Sequence, residues 1–173
     1  MTPATLQQLH ELGARAGELL RRRGEKIAVA ETSAGGLIAS SLLAVPGASA
    51  YFAGGAITYS ARAIRGLVGI STDEMRERGI RSSSEPYAQL LAEAVRSRHG
   101  RIAWGLAETG AAGPDGNPYG DPAGHTCIAV IGPVARARTL RTGQSDRVNN
   151  MLAFAAATLE LLIEALEAAP PTS

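Results

Sequence analysis

Ile27-Ala28-Val29-Ala30-Glu31-Thr32-Ser33-Ala34-Gly35-Gly36-Leu37 opens with four apolar residues in a row, the pattern of a strand buried on both faces. An acid, two hydroxyls and two glycines follow, and Leu37 to Ala44 reads as a helix. A buried strand, a small polar turn and a helix form the opening of a βαβ unit. The same arrangement recurs downstream. Ile102 to Ala107 is a second buried run, and Ala107-Glu108-Thr109-Gly110-Ala111-Ala112-Gly113 repeats the acid, the hydroxyl and the small residues of Ala30 to Gly36. Open α/β sheets bind ligands beyond the carboxyl ends of their strands, so the two turns mark the expected site. Small residues let a backbone approach a ligand closely, and free N–H groups at a helix start attract phosphate.

Outward from these turns the chain alternates helix and strand. Thr2 and Pro3 read as the cap and first position of a helix whose apolar stripe is Leu6, Leu9, Leu12, Ala16, Leu19 and Leu20, and Gly24 ends it. Val45-Pro46-Gly47 breaks the second helix, and Gly55 to Tyr59 reads as a strand. Ser71-Thr72-Asp73-Glu74 opens a short helix as a capping box, and Ser84-Glu85-Pro86 opens a longer one through Val95. Glu108 to Gly124 reads as a long loop rich in glycine and proline, a length that in compact domains points to function or disorder. Cys127 to Ile131 and Ala135 to Leu140 follow as a strand pair, and Ser145 reads as the cap of the last helix. The expectation is one three-layer α/β/α domain over residues 1–168 with a mixed, largely parallel sheet, and a flexible tail over 169–173.

Composition narrows the function classes. The 173 residues carry a net charge of +1, with 45% apolar and 19% charged residues, a globular balance that offers no basic surface for nucleic acid. Cys127 is the only cysteine, which excludes an intrachain disulfide and a thiolate metal cluster, and His10, His99 and His125 lack zinc spacing. No metal or cofactor is called for by the residues present. Glu160, Glu164 and Glu167 interrupt the apolar stretch Met151 to Ala169, which therefore reads as amphipathic rather than membrane-spanning. No basic-then-apolar leader opens the chain, so a cytoplasmic protein is expected.

Several blocks, taken in order, resemble one family. Val29 to Gly36 is similar to the A-E-S-C-T-G-G signature of CinA proteins, and Val45-Pro46-Gly47-Ala48-Ser49-Ala50-Tyr51-Phe52 with Tyr59-Ser60 resembles their next block, V-P-G-S-S-A-x-F followed by Y-S. Ser84-Glu85-Pro86 matches an S-E-P element, Gly110 to Gly116 is similar to G-I-A-G-P-x-G, and Thr142-Gly143 with Asp146 echoes S-G-D-R-x-x-V-R. The blocks keep their order from residue 5 to residue 166. The resemblance to the CinA C-terminal domain implies a homo-oligomeric α/β domain that hydrolyses the carboxamide of nicotinamide mononucleotide, or of a related nucleotide-like amide, to the acid and ammonia. It further implies a serine nucleophile in the first turn, assisted by the tyrosine and lysine of a Y-S-N-E-A-K segment.

Carried over by position, the nucleophile is Thr32, with Ser33 as the hydroxyl one residue on, and the tyrosine is Tyr59. The lysine position is Ile64, and Lys26, the chain's single lysine, stands at the other end of the first strand. Gln144, Ser145 and Asn149 occupy the acid and the two arginines of the closing block, leaving the substrate phosphate without those two cations. Glu31, Glu108, Tyr59 and His125 remain as bases for a threonine or serine nucleophile. The substrate contacts expected beside Thr32, Ser33 and Tyr59 are Glu31, Gly35, Gly36, Ser49, Gly110, Gly113 and His125. A rival expectation is a ligand-binding or assembly domain that kept the fold and lost the chemistry.

Overall fold

In the computed structural model, which describes residues 4–100 and 102–171, the first helix (α1, Leu6–Arg23) starts on Thr5. The Thr5 hydroxyl accepts from the Gln8 N–H at 3.2 Å, and the Gln8 carboxamide oxygen accepts from the Thr5 N–H at 2.9 Å. This reciprocal pair sets the helix start three residues later than expected, because a cap needs its partner at the third helical position. Thr2 and Pro3 lie outside the described residues. Replacing Thr5 by alanine should cost about 1 kcal/mol of stability, read as a lowered urea midpoint with an unchanged slope.

The remaining elements are β1 (Ile27–Glu31), α2 (Leu37–Leu43), β2 (Phe52–Ile57), α3 (Ala61–Ala63), α4 (Thr72–Glu77), α5 (Glu85–Arg98), β3 (Trp104–Ala111), β4 (His125–Ile131), β5 (Arg136–Arg141) and α6 (Arg147–Ala168). A single turn, Ala48–Ala50, leads into β2, and α3 continues as a π-helical turn over Ile64–Val68. The sheet order is β2-β1-β3-β4-β5. β1 is parallel to β2 and β3, while β4 opposes both β3 and β5, so four strands run one way and β4 runs against them. The sheet is mixed and sits between two helical layers, as expected.

Strand alternation sorts the core into two clusters. Ile27, Val29, Trp104, Leu106, Ile128 and Val130 face α1, α2 and α6, where Leu9, Leu20, Ile38 and Phe154 meet them. Ala28, Ala30, Ala107, Cys127 and Ala129 face α5 and the π turn, with Tyr87, Leu91, Ile64 and Val68. Ile64 is thus a core residue on the second face.

Several boundaries differ from the sequence reading. β2 occupies Phe52–Ile57 rather than Gly55–Tyr59, because its ladder with β1 starts where Phe52 meets Ile27. β3 starts at Trp104 and continues through Gly110 and Ala111, since both pair with β4, so the loop begins only at Ala112. α5 extends to Arg98. The last helix is capped by Asp146, whose Oδ1 accepts from the Asn149 N–H at 2.8 Å, and not by Ser145; a carboxylate also suits the positive end of the helix. At the far end of the sheet Arg23 grips Glu25 and donates to the carbonyls of Ala169 and Pro170, while Glu25 accepts from the Trp104 indole at 2.6 Å. Residues 172 and 173 of the expected tail lie outside the described residues.

Candidate active site

The two echoing turns are neighbours. In the parallel ladder of β1 and β3, Ala30 pairs with Ala107 and Glu31 with Glu108, so the repeated acids stand side by side at the carboxyl edge of the sheet. Residues 27, 29 and 31 share one face with 104, 106 and 108, so both carboxylates turn inward, toward α2 and α6. Glu31 is 1% exposed and Glu108 is 0% exposed.

Each carboxylate is held by donors of the first turn. Glu31 accepts from the N–H groups of Gly36 (2.9 Å), Ile38 (3.1 Å) and Ala39 (2.7 Å) and so caps α2 from below. Glu108 accepts from the N–H groups of Thr32 (3.2 Å) and Ala34 (2.8 Å), from the Ser33 hydroxyl (2.5 Å) and from the Thr126 hydroxyl (2.8 Å). The N–H groups expected to await a phosphate are therefore largely occupied by the protein's own carboxyl groups. Among the described residues, only the N–H groups of Ser33 and Gly35 within this turn lack an acceptor. The turn can fold this tightly because Gly35 and Gly36 have φ of 65° and 100°, a region side chains disfavour. Burial, opposed by the N–H donors and reinforced by the charge of Glu108, pushes the Glu31 carboxyl up to about 7.

The hydroxyls divide between interior and rim. Ser33 is buried against Glu108, whereas Thr32 is half-buried and its Oγ1 lies 3.3 Å from the Thr58 hydroxyl. Tyr59 is 64% exposed, and its phenol oxygen accepts from Arg147 at 3.1 Å. The same guanidinium donates to the Gly113 carbonyl at 2.6 Å, joining the rim residue to the second turn. Gly110 lies within β3, where a Cβ would stand 2.3 Å from the His125 carbonyl oxygen, so the close strand contact itself requires glycine there.

Ser49 is not brought to this edge, and His125 stands at the edge, opposite Ala111, but on the other face of the sheet. Ser49 sits in the turn before β2, at the amino ends of the strands, as does Lys26 before β1. His125 belongs to the same β4 face as Cys127, so its ring points into the α5 layer while Thr126 points toward Glu108. There His125 Nε2 meets the Ser83 carbonyl at 3.0 Å and Asp121 at 3.6 Å, while its buried Nδ1 has no partner among the described residues. Arg81 holds Asp121 below the usual carboxylate range, and burial pushes the Cys127 thiol up. Among the described residues no group of three or more His, Cys, Asp and Glu side chains could hold a metal ion, and no helix is long and apolar enough to cross a membrane.

Sequence reasoning missed the placement of three residues. Arg147 supplies a cation to the edge that was expected to lack one. Reading Asp146-Arg147 as the acid and arginine of S-G-D-R, with two residues inserted after Gly143, would have found it. Glu108 was visible as an echo of Glu31, but nothing in the sequence showed that it fastens the opposite turn. Thr126 carried no signal beyond strand alternation.

Comparison with known proteins gives consistent kinship. The family model of the CinA C-terminal domain matches residues 9–166. A CinA-like protein from Myxococcus xanthus is 42% identical over 158 residues, covering 90% of this chain and 36% of that protein. One from Prochlorococcus marinus is 44% identical over 116 residues, covering 67% of this chain and 26% of that protein. The chain thus spans well under half the length of these curated relatives. Among solved structures, competence/damage inducible protein CihA from Agrobacterium tumefaciens aligns with a TM-score of 0.82 at 30% identity, covering 92% of this chain and 96% of that one. A CinA superfamily protein from Klebsiella pneumoniae gives 0.83 at 25% identity, covering 92% and 98%.

Proposed function

The chain belongs to the CinA C-terminal domain family, and from that premise we propose that it hydrolyses the carboxamide of a small, nucleotide-like substrate, nicotinamide mononucleotide being the first to test. One observation carries the reading: the Ser33 hydroxyl already donates to a carboxylate, Glu108 Oε1, at the carboxyl edge of the sheet. A hydroxyl attacks an amide when a neighbouring base takes its proton and donors stabilise the oxyanion. The nucleophile in this reading is Ser33, one residue beyond the family position that Thr32 fills.

In the first step the Ser33 Oγ–carbon bond forms as its proton passes to Glu108. The N–H groups of Ser33 and Gly35 are the donors available to the resulting oxyanion. The carbon–nitrogen bond then breaks, and Glu108 returns the proton to the departing ammonia. Water cleaves the acyl-serine with Glu108 taking its proton and passing it to the serine oxygen, which releases the acid. Tyr59 accepts from Arg147 through its oxygen, which leaves its own O–H to donate outward, and Arg147 supplies the positive charge for an anionic substrate group.

Ammonia release from nicotinamide mononucleotide by the purified protein tests this. Ser33→Ala should abolish release, Glu108→Gln should reduce it by about 100-fold or more, and Thr32→Ala should leave most of it. Arg147→Gln should raise KM with kcat nearly unchanged if its role is uniform binding. Full activity in Ser33→Ala would refute the assignment. No release from correctly folded protein would leave a binding domain that retains the fold alone.

A further inference from the structure

Beside the second of the paired turns, α1, α6 and the end of β5 enclose a trough of about 560 Å³. α6 lines the middle of its floor with short side chains, Ala153, Ala156 and Ala157. Leu12 and Leu140, both half-buried, complete an apolar floor. The volume falls in the range of small-molecule pockets, and an apolar floor with a few polar groups is their usual chemistry.

The rim is negatively charged. Glu11 from α1 and Glu160 from α6 are both exposed, and among the described residues neither forms an ion pair. Arg15, the cation of the lining, is engaged with Glu167 at 2.6 Å. At the inner end Asn150 is 0% exposed; it accepts from the Thr142 hydroxyl and donates to the carbonyls of Gln144 (2.9 Å) and Ala112 (2.8 Å). Asn150 and Arg147 lie one helical turn apart on α6, and Ala112 precedes Gly113, the residue Arg147 holds. The end of the trough is thus built on the same turn of helix that reaches Tyr59.

We propose that this trough binds a small organic cation with an apolar body, the ammonium group lying between Glu11 and Glu160 and the hydrocarbon against the alanines of α6. The occupant is chosen by charge complementarity: two carboxylates without ion-pair partners above an apolar floor favour an amine over a neutral or anionic molecule of the same shape. The site shares no residue with the proposed hydrolytic step, so it stands or falls independently of that reading.

Titration with 4-phenylbutylamine, followed by amide chemical shifts and by thermal shift, is the test, with 4-phenylbutanol and 4-phenylbutyrate as matched controls. The amine should bind saturably, perturb the α1 and α6 lining and shift the Asn150 side-chain amide. The Glu11→Gln, Glu160→Gln double variant, altered only at exposed positions, should weaken it about fivefold, as befits exposed charges. Ala157→Trp should fill the floor and abolish binding. Equal affinity for amine and carboxylate, or an amine affinity untouched by the double variant, would overturn the proposal. So would an Ala157→Trp variant that dissociates a dimer of a protein that binds no amine, since the trough would then be a contact between copies.

Discussion

Replacing Glu108 by alanine should lower the unfolding free energy by about 3–5 kcal/mol, because four donors lose one shared acceptor. The N–H groups of Thr32 and Ala34 and the hydroxyls of Ser33 and Thr126 all converge on that carboxylate, which has no exposure to water. The Thr32 N–H keeps the Glu108 main-chain carbonyl and the Thr126 hydroxyl keeps the Thr109 carbonyl, both at 3.1 Å. The loss therefore falls on the Ala34 N–H and the Ser33 hydroxyl, about 1–3 kcal/mol each, moderated where water enters the space left by the side chain. For a chain of this size the loss corresponds to a fall in Tm of about 10 °C or more. Thr126→Val removes a single donor and should cost no more than about 1.5 kcal/mol. Hydrogen exchange provides the second readout: the Ala34 amide should lose protection in Glu108→Ala while those of Thr32, which keeps the Glu108 main-chain carbonyl, and of Gly36, Ile38 and Ala39 keep theirs. A Tm within 2 °C or so of the parent would show that the carboxylate is not the fastener of this turn.

Glu31 predicts a stability that falls as pH rises from acid to neutral. Burial is the main cause of its raised value of about 7, against an ordinary 4.5, with Glu108 adding repulsion and three backbone donors pulling the other way. Between these two values the folded protein keeps a proton on Glu31 that the unfolded chain has released. The stabilising contribution is therefore complete below about pH 4.5 and is lost as pH climbs through 7, amounting to about 3 kcal/mol over the window. Glu31→Gln cannot ionise and should lack this slope, while paying a constant penalty because its NH₂ group meets N–H donors at the start of α2. Urea midpoints of both proteins at pH 5 and pH 8 decide the matter. Parallel behaviour across that interval would mean that Glu31 titrates alike in both states.

The fold was legible because its signals are local and repeated. Ile27 to Ala30 and Ile102 to Ala107 each announced a buried strand, and the shared acid after each marked the edge where they end together. The site was legible only as a neighbourhood. A sequence shows that Glu31 and Glu108 follow strands, but their inward turn depends on strand parity continuing through the last residue, which a glycine-rich turn conceals. Ser49 and His125 looked close through motif order, yet strand direction sends the first to the opposite edge and alternation sends the second to the opposite face. Arg147 escaped because an insertion shifted its motif, and contacts between α6 and the Tyr59 segment span 88 residues of chain.

The pairing of α1 with α6 has a consequence for biosynthesis. Arg15 meets Glu167 across 152 residues, and Arg23 reaches Pro170 across 147. Leu9, Leu20 and Ile27 leave the ribosome long before Phe154, Leu159 and Leu162, which share their cluster. A nascent chain halted before Arg147 would leave the part of its sheet that α6 covers open to solvent or to a chaperone. Native closure must wait until α6 has been made, as expected of a topology in which distant contacts complete the core.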